Sequence, residues 1–142
     1  MIEKMLDFID RSPSCYHAVE NIERELEAAG FVRLAENQKW DLAYGGKYYV
    51  SRNGSSAIAF AIPQREMKGF HMIASHSDSP CFKIKENPEM TVEGHYVKLN
   101  VEKYGGMILS TWLDRPLSVA GRVVAAGKEA GIAESTVAVN RD

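Results

Sequence analysis

A histidine and an aspartate two positions apart, His76 and Asp78, are the side chains of this sequence best placed to do chemistry. They follow a short apolar run that is typical of a strand ending near Ser75. Because side chains alternate between faces in an extended chain, the imidazole and the carboxylate should point the same way, about 6.6 Å apart. Pro80 should end the strand. Open α/β sheets place ligand sites at such strand ends, so we expect a site here.

This pair suits metal binding. A neutral imidazole is a good zinc ligand, and a carboxylate on its other ring nitrogen usually fixes the tautomer. By itself His-x-Asp is a common pattern, and a solvated histidine in a surface loop is the competing interpretation. Cys81 follows the pair and could supply a thiolate, although a small packing residue is the favoured interpretation of that side chain.

Three serines flank the pair and raise the alternative of a serine hydrolase: Ser75, Ser77 and Ser79. Neighbouring side chains on one extended segment face opposite ways, so they cannot form a chain of nucleophile, base and orienting acid. The sequence also contains no G-x-S-x-G motif. The serine-hydrolase interpretation is therefore strongly disfavoured.

Composition narrows the class of protein further. The 142 residues are 45% hydrophobic and 25% charged, with a net charge of −2, so we expect neither nucleic acid nor an anionic membrane as a partner. No apolar run is long enough to span a bilayer. The charged N-terminus does not resemble a signal peptide, which predicts a cytoplasmic protein. Cys15 and Cys81 lie far apart and are expected to be reduced.

The elements that must position the pair are predicted from periodicity. A first helix is expected over 1–10, and a second should start at Ser12 as N-cap with Pro13 at its first position, continuing to about Ala29. Two runs rich in β-formers are separated by Asn53 and Gly54, which predicts a hairpin with a type I′ turn. These pieces form part of an α/β domain, because two helices, one hairpin and one further strand cannot close a doubly covered sheet.

After residue 86 the helical periodicity ends. Apolar and polar residues alternate over 91–101 and over much of 107–124, which predicts β-strands there. The glycine-interrupted segment 128–136 is predicted to be a turn region, and another strand is predicted to begin at 137–139. We therefore expect an α/β unit over 1–86 and the first strands of a second, all-β unit over 87–142.

Four motifs, in this order, resemble the aspartyl aminopeptidases, a family of di-zinc exopeptidases. The first is the helix start Ser12–Val19 and the second is the hairpin Tyr48–Ser56. The third, His76-Ser77-Asp78-Ser79-Pro80-Cys81, resembles the family's first metal-binding motif. The fourth combines Tyr104-Gly105-Gly106, Ser110–Leu117 and Ala120-Gly121-Arg122-Val123.

The resemblance implies an incomplete zinc-peptidase α/β domain with a β-rich dimerisation domain inserted after the first zinc-binding histidine. It implies that His76 binds zinc and that Asp78 is the supporting catalytic carboxylate. The activity implied is removal of N-terminal Asp or Glu from peptides at a site holding two zinc ions, by a homo-oligomer built from dimers. Asp114, which lies in an Asp-Arg pair, resembles part of the dimerisation signature rather than a bridging metal ligand.

The sequence also departs from that family. A di-zinc site needs a bridging carboxylate, a general-base glutamate and a second histidine, but no two glutamates are adjacent here. We therefore expect this chain alone to bind zinc weakly or not at all and to be inactive, and we expect it to end inside the inserted domain. Two alternatives stay open, a non-catalytic assembly module and another di-zinc hydrolase such as a deacylase.

Overall fold

A computed structural model describes residues 1–126 and 132–139 of the chain. The chain groups into two compact units. The first combines Met1–Asp78 with Ser118–Asp142, and the second is Ser79–Leu117. Within the described ranges, no helix is both long and apolar enough to cross a membrane.

Two helices open the first unit: α1 spans Ile2–Asp10 and α2 spans Cys15–Ala28. The predicted N-cap at Ser12 is wrong, because α2 is capped by Ser14, whose extended backbone lets its hydroxyl accept a hydrogen bond from the His17 amide. The Ser12 hydroxyl instead accepts a hydrogen bond from Asn21 at 3.1 Å. The turn between the helices is therefore two residues longer than predicted.

A three-stranded sheet follows, with β1 at Val32–Arg33, β2 at Lys47–Arg52 and β3 at Ser56–Ala61. The strands lie in chain order, with β1 parallel to β2 and β2 antiparallel to β3. Three successive residues of β2 are buried, Tyr48, Tyr49 and Val50, because both faces of this central strand are covered. Tyr49 donates its hydroxyl hydrogen to Glu27 of α2 at 2.6 Å, which ties the helix to the sheet.

The predicted hairpin is confirmed. Asn53 and Gly54 both have positive φ, 55° and 62°, as a type I′ turn requires. The Ser55 amide donates to the Arg52 carbonyl at 3.2 Å, and strand pairing resumes between Arg52 and Ser56. Ser55 therefore lies in the loop as a third residue, which the sequence pattern did not predict.

The predicted strand ending at Ser75 is wrong. Residues 69–80 form no helix or strand, and Phe70, Met72 and Ile73 are 78%, 88% and 101% exposed. An apolar run becomes a strand only where a neighbouring strand supplies ladder partners. No strand among the described residues pairs with this run. The local pattern was that of a buried strand, but the pairing that would complete it is not provided by the described chain.

The second unit is built on a long antiparallel ribbon, β4 at Cys81–Val92 and β5 at Tyr96–Tyr104. Its register shifts between Ile84 and Glu89, where Pro88 cannot donate to the ladder. A 3₁₀ turn, Leu109–Thr111, follows β5. The Phe82 and Trp112 rings pack edge to face with centroids 5.6 Å apart.

A second ribbon, β6 at Val119–Ala126 and β7 at Ile132–Val139, belongs to the first unit, where β6 contacts α2. The β content predicted after residue 86 is present in β4 to β7. The strand predicted over 107–124 is wrong for 107–118, which form a 3₁₀ turn and irregular loops because no described strand pairs with them. The turn region predicted over 128–136 is wrong for 132–136, which lie in β7, while 127–131 fall outside the described residues. The boundary expected at residue 86 falls inside β4, and the assignment of two domains stays a prediction.

Candidate metal centre

The structure brings His76 and Asp78 together, as predicted, although on a loop and not on a strand. The Nδ1 atom of His76 lies 2.8 Å from the backbone carbonyl oxygen of Asp78 and 3.3 Å from its carboxylate Oδ1. The two side chains are 80% and 41% exposed. A contact between residues two apart does not need a strand, because the imidazole of one residue can reach the backbone carbonyl of the other within an irregular loop.

This contact determines the tautomer of His76. A carbonyl oxygen can only accept a hydrogen bond, so Nδ1 must carry the hydrogen and donate it. In the neutral ring the other nitrogen, Nε2, then has a free lone pair. An imidazole whose Nδ1–H is held by a carbonyl or carboxylate is the usual form of a zinc-ligating histidine.

The side chains of His76 and Asp78 together suit one ligand position of a metal site. Among residues 1–126 and 132–139, no group of three or more His, Cys, Asp or Glu side chains is arranged to hold a metal ion. Zinc sites in proteins use three or four protein ligands. The described residues therefore fit a single zinc ligand with its orienting partner, and further ligands would have to come from other residues.

The remaining candidate side chains are two cysteines, one histidine and one aspartate. The structure assigns no disulfide to Cys15 or Cys81 within the described residues, and their reduced state stays a prediction. The His17 ring lies 2.8 Å from the hydroxyl of Ser14, its own helix cap, and is thereby explained as part of a capping arrangement. Asp114 has a positive φ of 54° in an irregular loop of the second unit.

Sequence reasoning gave no role to the residue between the pair. Ser77 is half-buried and donates its hydroxyl hydrogen to the Ser55 carbonyl at 3.2 Å, which attaches the loop to the β2–β3 turn. Arg122 of β6 donates to both the backbone and side-chain oxygens of Asn53 in that turn, each at 3.0 Å. The motifs containing these residues were visible in the sequence, but their proximity was not, since 69 positions separate Asn53 from Arg122.

Comparison with known proteins places these features in a family. The family described as aminopeptidase I zinc metalloprotease (M18) matches residues 8–142. A probable M18 family aminopeptidase 2 of Clostridium acetobutylicum is 53% identical over 130 residues, which is 90% of this chain and 30% of the relative.

Solved structures agree with that match. A chain of the Ape4 and Nbr1 complex, determined by cryo-electron microscopy, superposes with a TM-score of 0.92 at 39% identity over 97% of this chain and 27% of that chain. The mApe1 dodecamer of S. cerevisiae gives a TM-score of 0.87 at 31% identity over 96% of this chain and 32% of that chain. The present chain thus spans about a third or less of the length of the proteins that it matches, and its fold corresponds to an incomplete α/β domain.

Proposed function

Because the chain belongs to the M18 family of aminopeptidase I zinc metalloproteases, we propose that it is the N-terminal part of a metallo-aminopeptidase. In this proposal the complete enzyme removes N-terminal Asp or Glu from peptides, in the cytoplasm, with residues 1–86 in the catalytic domain and 87–142 in a dimerisation domain. The single observation that carries the proposal is the His76–Asp78 contact, which presents a free Nε2 within a chain of this family.

Each residue of the pair has a distinct part in the proposed mechanism. His76 would contribute Nε2 as one zinc ligand. The Asp78 carbonyl and carboxylate hold Nδ1 at 2.8 and 3.3 Å, which fixes the orientation and the tautomer of the ring. Zinc, when bound, would activate water and polarise the scissile carbonyl. The preference for an acidic N-terminal residue rests on the family resemblance, with no residue of this chain assigned to it.

The 142-residue chain itself should not catalyse hydrolysis, because the described residues provide one ligand where zinc needs three or four. We expect no release of p-nitroaniline from Asp-p-nitroanilide by the purified chain with added zinc. Zinc binding measured by calorimetry should be weak and should be further reduced in His76→Ala. Turnover that disappears in His76→Ala would contradict this prediction.

The catalytic proposal is tested in the longer protein that contains this chain. We expect it to hydrolyse Asp- and Glu-p-nitroanilide in preference to Leu-p-nitroanilide. His76→Ala should abolish turnover, and Asp78→Asn should reduce zinc affinity or activity about 10- to 100-fold, as expected for a carboxylate that orients a ligand. Faster hydrolysis of acyl-amino acids than of acidic peptides would instead favour the deacylase alternative.

A non-catalytic role in assembly is the second candidate. Within the described residues each of the ribbons, β4–β5 and β6–β7, forms a two-stranded sheet, whose outer edges are available for pairing. The similar mApe1 structure is a dodecamer, which supports a homo-oligomer. Both candidates allow self-association, so sedimentation velocity is combined with the hydrolysis assay of the longer protein: an assembly module should self-associate reversibly without any turnover that depends on zinc and His76.

A further inference from the structure

The turn between β2 and β3, residues 53–55, is held from two sides. Ser77 reaches it from the candidate metal-site loop and Arg122 reaches it from β6. Both contacts lie within the first compact unit. They join motifs that are separated in sequence, including the one that contains His76.

The contact of Ser77 acts directly on the geometry of His76. The imidazole donates to the Asp78 carbonyl, and Ser77 is the residue between them. Residues 69–80 form no ladder, so the conformation of this loop is not fixed by strand pairing. The hydrogen bond from the Ser77 hydroxyl to the Ser55 carbonyl, at 3.2 Å, attaches the loop backbone at the position where the imidazole turns back onto it.

Arg122 in turn holds the 53–55 turn in place. Its guanidinium lies 4.6 Å from the centroid of the Tyr16 ring, and its Nη1 is 3.5 Å from Glu134 and donates to both oxygens of Asn53. The side chain is only 23% exposed, and the contacts come from α2, the turn and β7. A planar guanidinium with several fixed donors can stack and donate at the same time, which a lysine ammonium cannot.

We propose that Ser77 and Arg122 are positioning residues, which act through the 53–55 turn to hold His76 in its Nδ1–H tautomer with Nε2 available to a ligand. Ser77 acts on the loop and Arg122 acts on the turn to which the loop is attached. The use of Nε2 for zinc rests on the proposed function, but the tautomer itself does not.

Ring-nitrogen NMR on the ¹⁵N-histidine-labelled 142-residue chain tests the Ser77 step. Spectra are recorded without metal at pH 8, where an ordinary histidine is neutral, and the His76 signals are assigned with His76→Gln. We expect the Nδ1–H form to dominate in the unsubstituted chain. In Ser77→Ala the Nδ1–H to Nε2–H ratio should fall up to about fivefold, the ratio that one ordinary hydrogen bond maintains. Ser77→Thr retains the hydroxyl and should restore the ratio.

Substitution of Arg122 tests whether this residue acts on His76 through the 53–55 turn. Arg122→Lys keeps the positive charge near Glu134 but loses the simultaneous contacts to Tyr16 and Asn53, so the same ratio should fall about twofold, less than in Ser77→Ala. Arg52→Lys is the matched control. Arg52 directly precedes the turn but its guanidinium binds Glu36, at 2.6 Å, so its substitution should leave the His76 tautomer unchanged.

Urea unfolding of every variant shows whether a changed ratio reflects lost positioning or lost structure. A fall in the ratio that follows only the loss of stability, and that Ser77→Thr does not reverse, would overturn the proposal. So would an unsubstituted chain in which Nε2–H predominates. Because no metal or substrate is present, this outcome is independent of the hydrolysis assay: correct positioning without activity in the longer protein would reject only the proposed function.

Discussion

Among single residues, Tyr49 shows how burial changes the ionisation of a side chain. Its side chain is fully buried between α2 and the sheet, and its hydroxyl donates to a carboxylate oxygen of Glu27. Burial disfavours the charged phenolate, and the hydrogen bond to Glu27 also favours the neutral form, so the pKa of Tyr49 is raised to about 12. Between pH 10 and about 12, the Tyr49 hydroxyl therefore keeps its proton in the folded state but loses it in the unfolded chain.

This shift predicts how stability depends on pH. Since the pKa is raised on folding, the contribution of Tyr49 is fully present below pH 10 and is lost as the pH rises towards about 12. Urea unfolding should show a free energy of unfolding that declines over this interval. Tyr49→Phe should lower stability by about 1 kcal/mol at pH 7, through loss of one hydrogen bond, and should weaken the alkaline decline.

Tyr44 offers a matched control for that series, because it is 75% exposed. Tyr44→Phe removes a phenolic hydroxyl of the same kind without removing a buried hydrogen bond. An alkaline decline of equal steepness in Tyr49→Phe and in Tyr44→Phe would refute the assignment to Tyr49.

At the scale of elements, Asn21 controls how α1 joins α2. This side chain is 3% exposed, and its amide nitrogen donates to the Arg11 carbonyl at 2.8 Å and to the Ser12 hydroxyl at 3.1 Å. Its oxygen accepts from the Arg11 guanidinium at 3.2 Å. All three partners lie at the end of α1 or in the loop that follows it, so one amide on α2 organises the connection.

Truncating this amide should destabilise the first unit. Asn21→Ala removes three partly buried hydrogen bonds, which costs about 1–3 kcal/mol. Chemical denaturation measures the loss, and protease cleavage near residues 11–14 should become faster. Asn37→Ala, at an exposed loop position, should change stability by less than about 0.5 kcal/mol. Equal effects of the two substitutions would show that the Asn21 contacts do not stabilise the connection.

The elements also show where sequence reasoning succeeds. The 53–55 turn was predicted because positive φ at Asn53 and Gly54 is a local requirement that residue type reveals. The two helices follow equally local periodicity. The prediction of a strand ending at Ser75 is wrong because a strand forms only beside a neighbouring strand, and the local sequence pattern does not specify that neighbour.

The candidate site likewise combines one feature that the sequence predicts with contacts that only the fold reveals. The proximity of His76 and Asp78 follows from their spacing, so it was predictable from the sequence, although its loop geometry was not. The contacts of Ser77 and Arg122 join residues 22 and 69 positions apart in sequence, and they depend on how α2, the hairpin and β6 pack. Spacing within one motif is visible in a sequence, whereas contact between motifs requires the fold.

At the scale of the whole molecule, exposed apolar surface is the dominant feature. Scattered exposed hydrophobic residues are normal, but a contiguous exposed run is not. Phe70, Met72 and Ile73 form such a run, at 78%, 88% and 101% exposure, in a segment with strand-forming composition and no ladder. Such a segment tends to pair with another copy or to associate through its side chains.

We therefore expect the purified chain to self-associate in the micromolar range, with a weight-average sedimentation coefficient that rises with concentration. Replacing Phe70 and Ile73 with lysine removes apolar surface and introduces repulsion, so this double variant should associate more weakly. The pair Asn37→Lys and Gln38→Lys adds the same charge at exposed loop positions and should have a smaller effect. If both double variants sediment like the unsubstituted chain, the 70–73 run does not drive association, and the edges of the two ribbons become the surface to test.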